Sequence, residues 1–252
     1  MPLVRKPILE ATGVSCGYGK MHIVNDVSFS LHESEIALIM GPNGSGKSTL
    51  VKAIVGLIDI FGGHILLAGN ELVGRSTAKI IKMGISFVPQ TNNIFPSLSV
   101  HENLEIGSTL IEHELRQGSI DEIYGLFPEL KAKREDSANS LSGGERQILA
   151  IARGLIGKPR ILILDEPTAG LAPKIAKNVM ARIRGIREKG VSVVLVEQNA
   201  RAALNIADTG FVLVAGSKLA EGTSEELIKN EDVVQLFLGR LGGREPTPKP
   251  SQ

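Results

Sequence analysis

Nine consecutive residues near the start of the chain match a phosphate-binding pattern. Residues 41–49 read GPNGSGKST, which fits the pattern G-x-x-x-x-G-K-[ST]. The apolar run Ile36–Met40 precedes this segment, and a helix-like stretch begins at Thr49. Such a loop constrains the fold strongly, because it predicts an α/β sheet in which a buried strand leads through the loop into a helix.

The residue types in this loop suit the binding of a triphosphate. Glycines let the backbone approach an anion closely, so that successive N–H groups and the helix N-terminus point at it. Lys47 can reach the β- and γ-phosphates, and the Ser48 hydroxyl can bind Mg²⁺. The alternative is a glycine-rich turn without phosphate, which the flanking strand and helix disfavour. The residues predicted to bind nucleotide here are Gly41, Pro42, Asn43, Gly44, Ser45, Gly46, Lys47, Ser48 and Thr49.

A second motif supplies acids to the predicted site. Residues 161–167 read ILILDEP, an apolar run that ends in two carboxylates. Acids at the C-terminal tip of a buried strand lie beside the phosphate loop, where open α/β sheets bind ligands. We expect Asp165 to hold Mg²⁺ through water, and Glu166, which faces the other way, to orient or deprotonate the attacking water. The alternative is a pair of solvated acids in a turn.

The segment Leu141–Glu145 reads LSGGE and begins a predicted helix. A hydroxyl followed by two glycines at a helix N-terminus can form a second anion site. One phosphate loop does not obviously need two such sites, but two chains packed head to tail could each cover the phosphate held by the other. Taken alone, the segment could be a simple N-cap. The predicted nucleotide contacts in it are Ser142, Gly143, Gly144 and Glu145.

The composition limits the classes of partner. Among 252 residues, 42% are apolar, and 28 basic residues nearly balance 27 acidic ones, so we expect a sizeable core and no nucleic-acid partner. A single cysteine, Cys16, excludes an intramolecular disulfide and fits a reduced cytosolic setting. We see no signal peptide after Met1 and no apolar run of the ~18 residues that a bilayer span needs.

Hydrophobic periodicity organises the chain into one predicted domain over residues 8–239. Strand signals disappear between about 92 and 157, which predicts a helical subdomain inserted into the α/β core. The tail 242–252 has three prolines and no large apolar residue, so we expect it to be disordered. Predicted strands are 8–16, 24–31, 36–40, 63–69, 85–89, 160–164, 191–196 and the hairpin 210–215 with 218–221. Predicted helices are 76–83, 100–110, 112–126, 143–156, 173–188, 223–229 and 231–239.

Taken together, the phosphate loop, Leu141–Glu145 and Ile161–Pro167 resemble the motifs of ABC transporter ATP-binding subunits in their order and spacing. The resemblance covers roughly residues 8–239. It implies an ABC-type P-loop NTPase fold, with an α/β core, an antiparallel β subdomain and an inserted helical subdomain. It also implies a Mg²⁺-dependent ATPase in which two such domains clamp two ATP molecules, and in which opening after hydrolysis drives membrane partners.

Further site residues follow from the resemblance position by position. Tyr18 matches the aromatic residue that stacks on adenine, although a tyrosine in a glycine-flanked turn can also be an ordinary surface residue. Gln90 matches the loop glutamine that contacts Mg²⁺ and senses the transport subunit. Asp165 and Glu166 match the metal-linked acid and the catalytic base, and Lys47 contributes to catalysis at the phosphates.

Two positions depart from the family pattern. Where the family usually carries a histidine that touches the γ-phosphate, this chain has Gln198. A glutamine amide can hydrogen-bond a phosphate oxygen but cannot carry charge. Either Gln198 suffices for catalysis, or this half-site is slow and works beside a partner that has the histidine. In addition, Leu171 is followed by Ala172 rather than by the usual aspartate, which puts cross-dimer communication through that aspartate in doubt.

The segments Gly170–Pro173, Val196–Ala200 and Phe237–Gly239 are similar to those of branched-chain amino-acid uptake ATPases. This resemblance implies a second ATPase subunit in a hetero- or homodimer, two membrane permease subunits, an external substrate-binding protein and a peripheral position on the cytoplasmic face of the membrane. Related systems carry other amino acids or short amides. The alternatives are a soluble ABC ATPase of the iron–sulfur assembly type and an exporter ATPase.

Overall fold

The computed structural model describes residues 6–237, and a six-stranded, mostly parallel sheet lies at its centre. The strand order is β10-β9-β3-β8-β7-β6, in which only the pairing of β10 with β9 is antiparallel. The strands are β3 (Ile36–Met40), β6 (Ile85–Val88), β7 (Ile161–Asp165), β8 (Ser192–Glu197), β9 (Thr209–Val214) and β10 (Ser217–Thr223).

A second, antiparallel sheet has the order β2-β1-β4-β5. Its strands are β1 (Leu9–Tyr18), β2 (Met21–Leu31), β4 (Asp59–Leu67) and β5 (Asn70–Glu71). Register shifts along β1 mark local irregularities in both of its pairings. In the second half of β2, buried positions alternate with less buried ones, as expected for an antiparallel sheet with one face on the core.

Ten α-helices connect and cover the sheets within the described residues. Proline in the first turn begins α5 and α7, because its fixed φ suits a helix start and its missing N–H is not needed there. Their bounds are α1 (Lys47–Ile54), α2 (Thr77–Lys82), α3 (Val100–Gly107), α4 (His113–Leu126), α5 (Pro128–Ala132), α6 (Gly143–Leu155), α7 (Pro173–Glu188), α8 (Ala200–Leu204), α9 (Ser224–Lys229) and α10 (Glu231–Phe237).

The central strand β3 separates two apolar cores. Alternate residues of this strand point to opposite faces, so that Ile36, Leu38 and Met40 join one cluster while Ala37 and Ile39 join the other. The first cluster includes the apolar face of α6, and the second includes α1 and the antiparallel sheet. All five residues of β3 are buried, which explains why the strand appears in the sequence as a continuous apolar run.

The architecture confirms the predicted fold class of an α/β P-loop core with an antiparallel sheet and a helical segment. Four short elements were not predicted, namely β5, α5, α8 and a 3₁₀ helix at Ala138–Ser140. Helix α1 begins at Lys47, two residues before the predicted start, because Gly46 rather than a polar side chain provides the N-cap. The domain limits 8–239 remain a prediction, and the tail 242–252 lies outside the described residues. Within residues 6–237, no helix combines the length and apolar character of a membrane span.

Candidate functional site

The phosphate loop connects the C-terminal end of β3 to α1, and its backbone requires glycine. Gly44 and Gly46 have φ values of +77° and +101°, a region that residues with a side chain rarely occupy. At Gly41 a Cβ atom would lie 2.1 Å from the carbonyl oxygen of Leu213. The start of the loop is therefore packed tightly against the neighbouring strand β9.

The N-terminus of α1 fits an anion. The helix has no side-chain cap, and its first amide groups have no carbonyl partner within the helix. In addition, the buried hydroxyl of Ser45 has no hydrogen-bond partner among the described residues. A buried polar atom without a partner is costly, and a phosphate oxygen would provide one for both the hydroxyl and the amides. The residues present thus fit a bound phosphate group.

Lys47 places a positive charge at this cradle. Its side chain is only 4% exposed, and Nζ donates hydrogen bonds to the carbonyl oxygens of Gly41 and Pro42 at 3.0 and 3.1 Å. Nζ also lies 3.5 Å from Oε1 of Glu166. The ammonium group is therefore fixed between the loop and the end of β7, rather than free to extend into solvent.

Asp165 and Ser48 form the part of the site that fits a metal ion. The Ser48 hydroxyl donates a hydrogen bond to Oδ1 of Asp165 at 2.9 Å, although 117 residues separate them in sequence. Burial raises the pKa of Asp165, and the hydrogen bond from Ser48 partly offsets this rise. A hydroxyl and a carboxylate are hard oxygen ligands of the kind that Mg²⁺ prefers, and Mg²⁺ sites at nucleotides use few protein ligands.

Glu166 follows Asp165 in a left-handed conformation, with φ of +46°. Its N–H donates to the carbonyl oxygen of Val196 at 2.9 Å. On the side chain, Oε2 accepts a hydrogen bond from Nε2 of Gln90 at 2.9 Å, while Oε1 faces Lys47. Gln90, which was predicted as a metal contact, therefore meets the predicted base directly. The unusual backbone conformation turns Glu166 toward the cleft while Asp165 remains buried.

A cleft of about 1510 Å³ unites these groups. Tyr18 lies at the end of β1 with 49% of its surface exposed, as a stacking residue requires. Gly41, Pro42 and Asp165 do not line the cleft. They accept hydrogen bonds from Lys47 and Ser48, which do line it. The predicted residues that line it are Tyr18, Asn43, Gly44, Ser45, Gly46, Lys47, Ser48, Thr49, Gln90, Glu166 and Gln198.

The segment Ser142–Glu145 contributes none of the described residues that line this cleft, although Gly143 lies next to Leu171, which does line it. The Ser142 hydroxyl accepts a bond from the Glu145 N–H, and the Glu145 carboxylate accepts one from the Ser142 N–H. A hydrogen bond from Lys133 at 2.6 Å, together with the bonds from Ser142, lowers the pKa of Glu145 to about 2, and Lys133 is the largest cause. A Cβ at Gly144 would lie 2.3 Å from Ile175, so packing also requires this glycine. The predicted N-cap is thus present, and the second anion site is not formed within one chain's own cleft.

Comparison with known proteins decides the family. The model of the ABC transporter family matches residues 24–169. The chain belongs to the ABC transporter ATP-binding family. It is 40% identical to a probable branched-chain amino acid transport ATP-binding protein, LivF, of Archaeoglobus fulgidus, over 92% of this chain and 99% of the relative. It is 41% identical to the high-affinity branched-chain amino acid transport ATP-binding protein BraG of Pseudomonas aeruginosa, over 90% of this chain and 97% of the relative.

Other ABC proteins are similar at lower identity. The lipopolysaccharide export system ATP-binding protein LptB of Haemophilus influenzae is 33% identical over 92% of this chain and 97% of its own length. An ABC transporter cassette solved in its ADP conformation has a TM-score of 0.84 and 26% identity, covering 93% of this chain and 99% of that chain. A dimeric cassette bound to ADP and Pi has a TM-score of 0.74 and 26% identity, with coverage of 86% and 98%.

As an ABC ATP-binding domain, the chain binds and hydrolyses ATP. The predicted site residues all belong to sequence motifs, whereas Glu197 and Thr168 were not predicted as site residues. Both line the cleft beside Gln198, and both are at least nine-tenths buried. The only sequence signal at Glu197 was a carboxylate at the end of a strongly apolar strand, and Thr168 has no signal of its own.

Proposed function

We propose that this ABC ATPase energises the uptake of branched-chain amino acids or of related small amino acids and amides. The observation that carries the proposal is the similarity to LivF and BraG over nearly the full length of each relative. The nucleotide cleft itself contains no group whose chemistry would select a transported molecule. The cargo assignment therefore depends on the relatives, and the chemistry of hydrolysis depends on the site.

In the proposed mechanism, Glu166 is the general base that accepts a proton from the water attacking the γ-phosphate. Its contacts support this role, because Gln90 and Lys47 fix the two carboxylate oxygens separately. Lys47 and the amide groups of the phosphate loop would stabilise the negative charge on the phosphoryl oxygens. Gln198, which also lines the cleft, would donate a hydrogen bond to the γ-phosphate.

Ser48 and Asp165 would hold Mg²⁺, with Gln90 as a further ligand, and the ion would neutralise charge on the β- and γ-phosphates. The hydrogen bond between Ser48 and Asp165 supports this assignment, because it brings two hard oxygen ligands together beside Lys47. Tyr18 would stack on adenine, and its exposed ring at the mouth of the cleft supports this role.

The proposed assembly contains a second ABC ATPase subunit, either a copy of this chain or a related one. Ser142, Gly143, Gly144 and Glu145 would cover the ATP held by that partner, which accounts for their position outside the cleft of their own chain. Two membrane permease subunits would dock on this pair at the cytoplasmic face of the membrane. An external substrate-binding protein would supply the cargo without contacting the ATPase.

Export is the second candidate, because LptB of a lipopolysaccharide export system is 33% identical to this chain. The lower identity makes it the weaker candidate. The two candidates differ in their membrane partners and in their dependence on a binding protein. Only an importer of the proposed type requires an external protein that presents a small amino acid or amide.

Partner capture followed by reconstitution tests the proposal. The tagged chain is purified from detergent-solubilised native membranes, with a tagged Lys79→Ala variant as a matched preparation, and its partners are identified by mass spectrometry. We expect a second P-loop ATPase and two polytopic membrane proteins, and ATPase activity in proteoliposomes that rises when the binding protein carries leucine. Membrane partners that extract lipopolysaccharide would support export instead. Soluble partners alone would contradict transport.

A further inference from the structure

Glu197 is a buried carboxylate between the two halves of the catalytic site. It is the last residue of β8, the strand between β3 and β7, and only 2% of its surface is exposed. Across one edge it pairs with Met40, the residue directly before the phosphate loop. On the other edge its neighbour Val196 pairs with Asp165. Gln198 follows it directly in the chain.

The Glu197 side chain is bonded to the turn that carries Glu166. Its Oε1 accepts two hydrogen bonds from Thr168, one from the N–H at 3.0 Å and one from the hydroxyl at 2.7 Å. The N–H of Glu166 is bonded in turn to the carbonyl oxygen of Val196. The turn after β7 is thus attached to the end of β8 at two points, one on either side of the Glu166 side chain.

Two attachments matter because the conformation of Glu166 is unfavourable in itself. A residue other than glycine in the left-handed region is strained and persists only where its surroundings impose it. Burial of Glu197 is also unfavourable, since it raises the pKa of the carboxyl. A buried acid that accepts two bonds from one residue beside the catalytic base is therefore difficult to explain by stability alone.

We propose that Glu197 is a positioning residue which, through Thr168, fixes the position of Glu166 relative to Gln198 beside the γ-phosphate. This inference rests on the proposed role of Glu166. In this role Glu197 acts through Thr168 and does not need to touch water or nucleotide. Its loss moves the base out of line with the attacking water, and small displacements of this kind are expensive for catalysis while leaving binding intact.

The test begins with four single variants of the full chain, each measured in the same assembled complex. Glu197→Leu removes both acceptor bonds at similar volume, and Thr168→Val removes only the hydroxyl donor. Glu197→Gln and Thr168→Ser keep the acceptor and the donor. For each variant, kcat and KM are measured together with ATP affinity by calorimetry and Tm by scanning calorimetry.

We expect Glu197→Leu to lower kcat about 10–100-fold and Thr168→Val to lower it several-fold, with ATP affinity close to wild type. Glu197→Gln and Thr168→Ser should recover most of the rate. The double variant Glu197→Leu, Thr168→Val should have a kcat little lower than that of Glu197→Leu alone, because both changes remove the same link. In a Glu166→Gln background, Glu197→Leu should cause almost no further loss, since the residue it positions has lost its function.

The chain contains a matched control at the opposite end of the central sheet. Glu35 is also buried, and it accepts a hydrogen bond from the hydroxyl of Thr209. Because it precedes β3 at its N-terminal end, away from the cleft, Glu35→Leu should lower Tm without changing kcat per folded molecule. If Glu197→Leu and Thr168→Val behave like Glu35→Leu, the inference is overturned.

The failure of this inference is distinguishable from failure of the proposed mechanism. If Glu166→Gln retains the wild-type rate, Glu166 is not the base and the link has nothing to position. If Glu166→Gln loses the rate while Glu197→Leu and Thr168→Val keep it, only the role of Glu197 is wrong. If Glu197→Leu does not fold, Thr168→Val and Thr168→Ser still test the inference. Thr168→Val must then lower kcat several-fold at unchanged ATP affinity, and Thr168→Ser must recover most of the rate.

Discussion

Two helix N-termini in this ABC ATPase carry glycine-rich motifs, yet they are built in opposite ways. Helix α1 begins after Gly46 with no side-chain cap, so that its first amides and the Ser45 hydroxyl are open to a ligand. Helix α6 begins with a complete capping box between Ser142 and Glu145, which satisfies the N–H groups of these two residues within the chain. The first end is open to an anion, whereas the second is already partly capped by its own side chains.

The charges at the two ends follow the same division. Lys47 lies at α1 and faces a carboxylate of the site, whereas α6 carries its own carboxylate, Glu145, which Lys133 neutralises. A free anion at α6 alone would meet this acid. The contacts within one chain therefore favour α1 as its nucleotide site, and in the proposed assembly the α6 segment would cover the partner's nucleotide.

The largest effect is expected at α1. Lys47→Ala removes the only lysine that contacts the phosphate loop among the described residues, so that the cradle loses its charge-assisted bonds to the β- and γ-phosphates. We expect ATP affinity to fall by roughly 10²-fold or more, measured by isothermal titration calorimetry. Lys79→Ala, on the exposed face of α2, is the control and should bind as wild type. Unchanged affinity in Lys47→Ala would contradict the assignment of the phosphate loop.

Glu166→Gln should separate binding from turnover at the same end. The amide keeps the size of the side chain but cannot accept a proton, so we expect kcat to fall about 10²–10⁴-fold with ATP affinity preserved. Steady-state phosphate release and calorimetric ATP binding measure the two quantities on one preparation. Wild-type turnover in this variant would exclude Glu166 as the base.

The residues at the α1 end could be predicted from the sequence, because their chemistry depends on residue types at fixed spacing. Lys47, Ser48, Asp165 and Glu166 are visible as motifs, and the structure pairs Lys47 with Glu166 and Ser48 with Asp165. The sequence could not show that Gln90 bonds Glu166, because that contact joins residues 76 positions apart through the order of the strands. For the same reason it missed Glu197, whose partner is defined by the neighbouring strand rather than by a local pattern.

At α6, Ser142→Ala should affect stability and activity differently. Loss of the cap should cost about 1 kcal/mol of unfolding free energy, whereas ATPase activity of the assembled dimer should fall by roughly tenfold because the partner's nucleotide loses a contact. Ser99→Ala is the matched control, since Ser99 forms the same capping box with Glu102 at the start of α3. Urea denaturation and ATPase assays compare the two. Equal activity in both variants would show that Ser142 is only a cap.

Gln198→His should have a smaller effect, and its direction tests whether the half-site is slow. Gln198 lines the cleft directly after Glu197, so that a histidine there could reach the same phosphate and carry charge. We expect a rise in kcat of a few-fold in the assembled complex if the native amide limits the rate. Gln198→Ala is the control, and it should lower kcat. No gain in Gln198→His would show that the amide suffices.

The smallest effect concerns acid stability, where Glu145→Gln isolates charge from capping. Glutamine retains the capping bond, since either side chain can accept from the Ser142 N–H. The pKa of Glu145 is lowered to about 2, chiefly by Lys133. Its stabilisation is therefore complete above the unfolded pKa of 4.5 and is lost as the pH falls toward about 2. We expect the unfolding free energy to fall less steeply below pH 4.5 in the variant, by urea titration.

Glu102→Gln is the control for this measurement, because it changes a capping carboxylate whose pKa is lowered mainly by Ser99 rather than by a lysine. Its effect on the slope should be the weaker of the two.

Asp165→Asn should act in the opposite sense, because burial raises the pKa of Asp165 and its ionised form opposes folding as the pH rises. Stability at neutral pH should therefore increase in Asp165→Asn while ATPase activity is lost. Parallel pH profiles for Glu145→Gln and wild type would show that Lys133 and Glu145 hold the α6 end without a net electrostatic contribution.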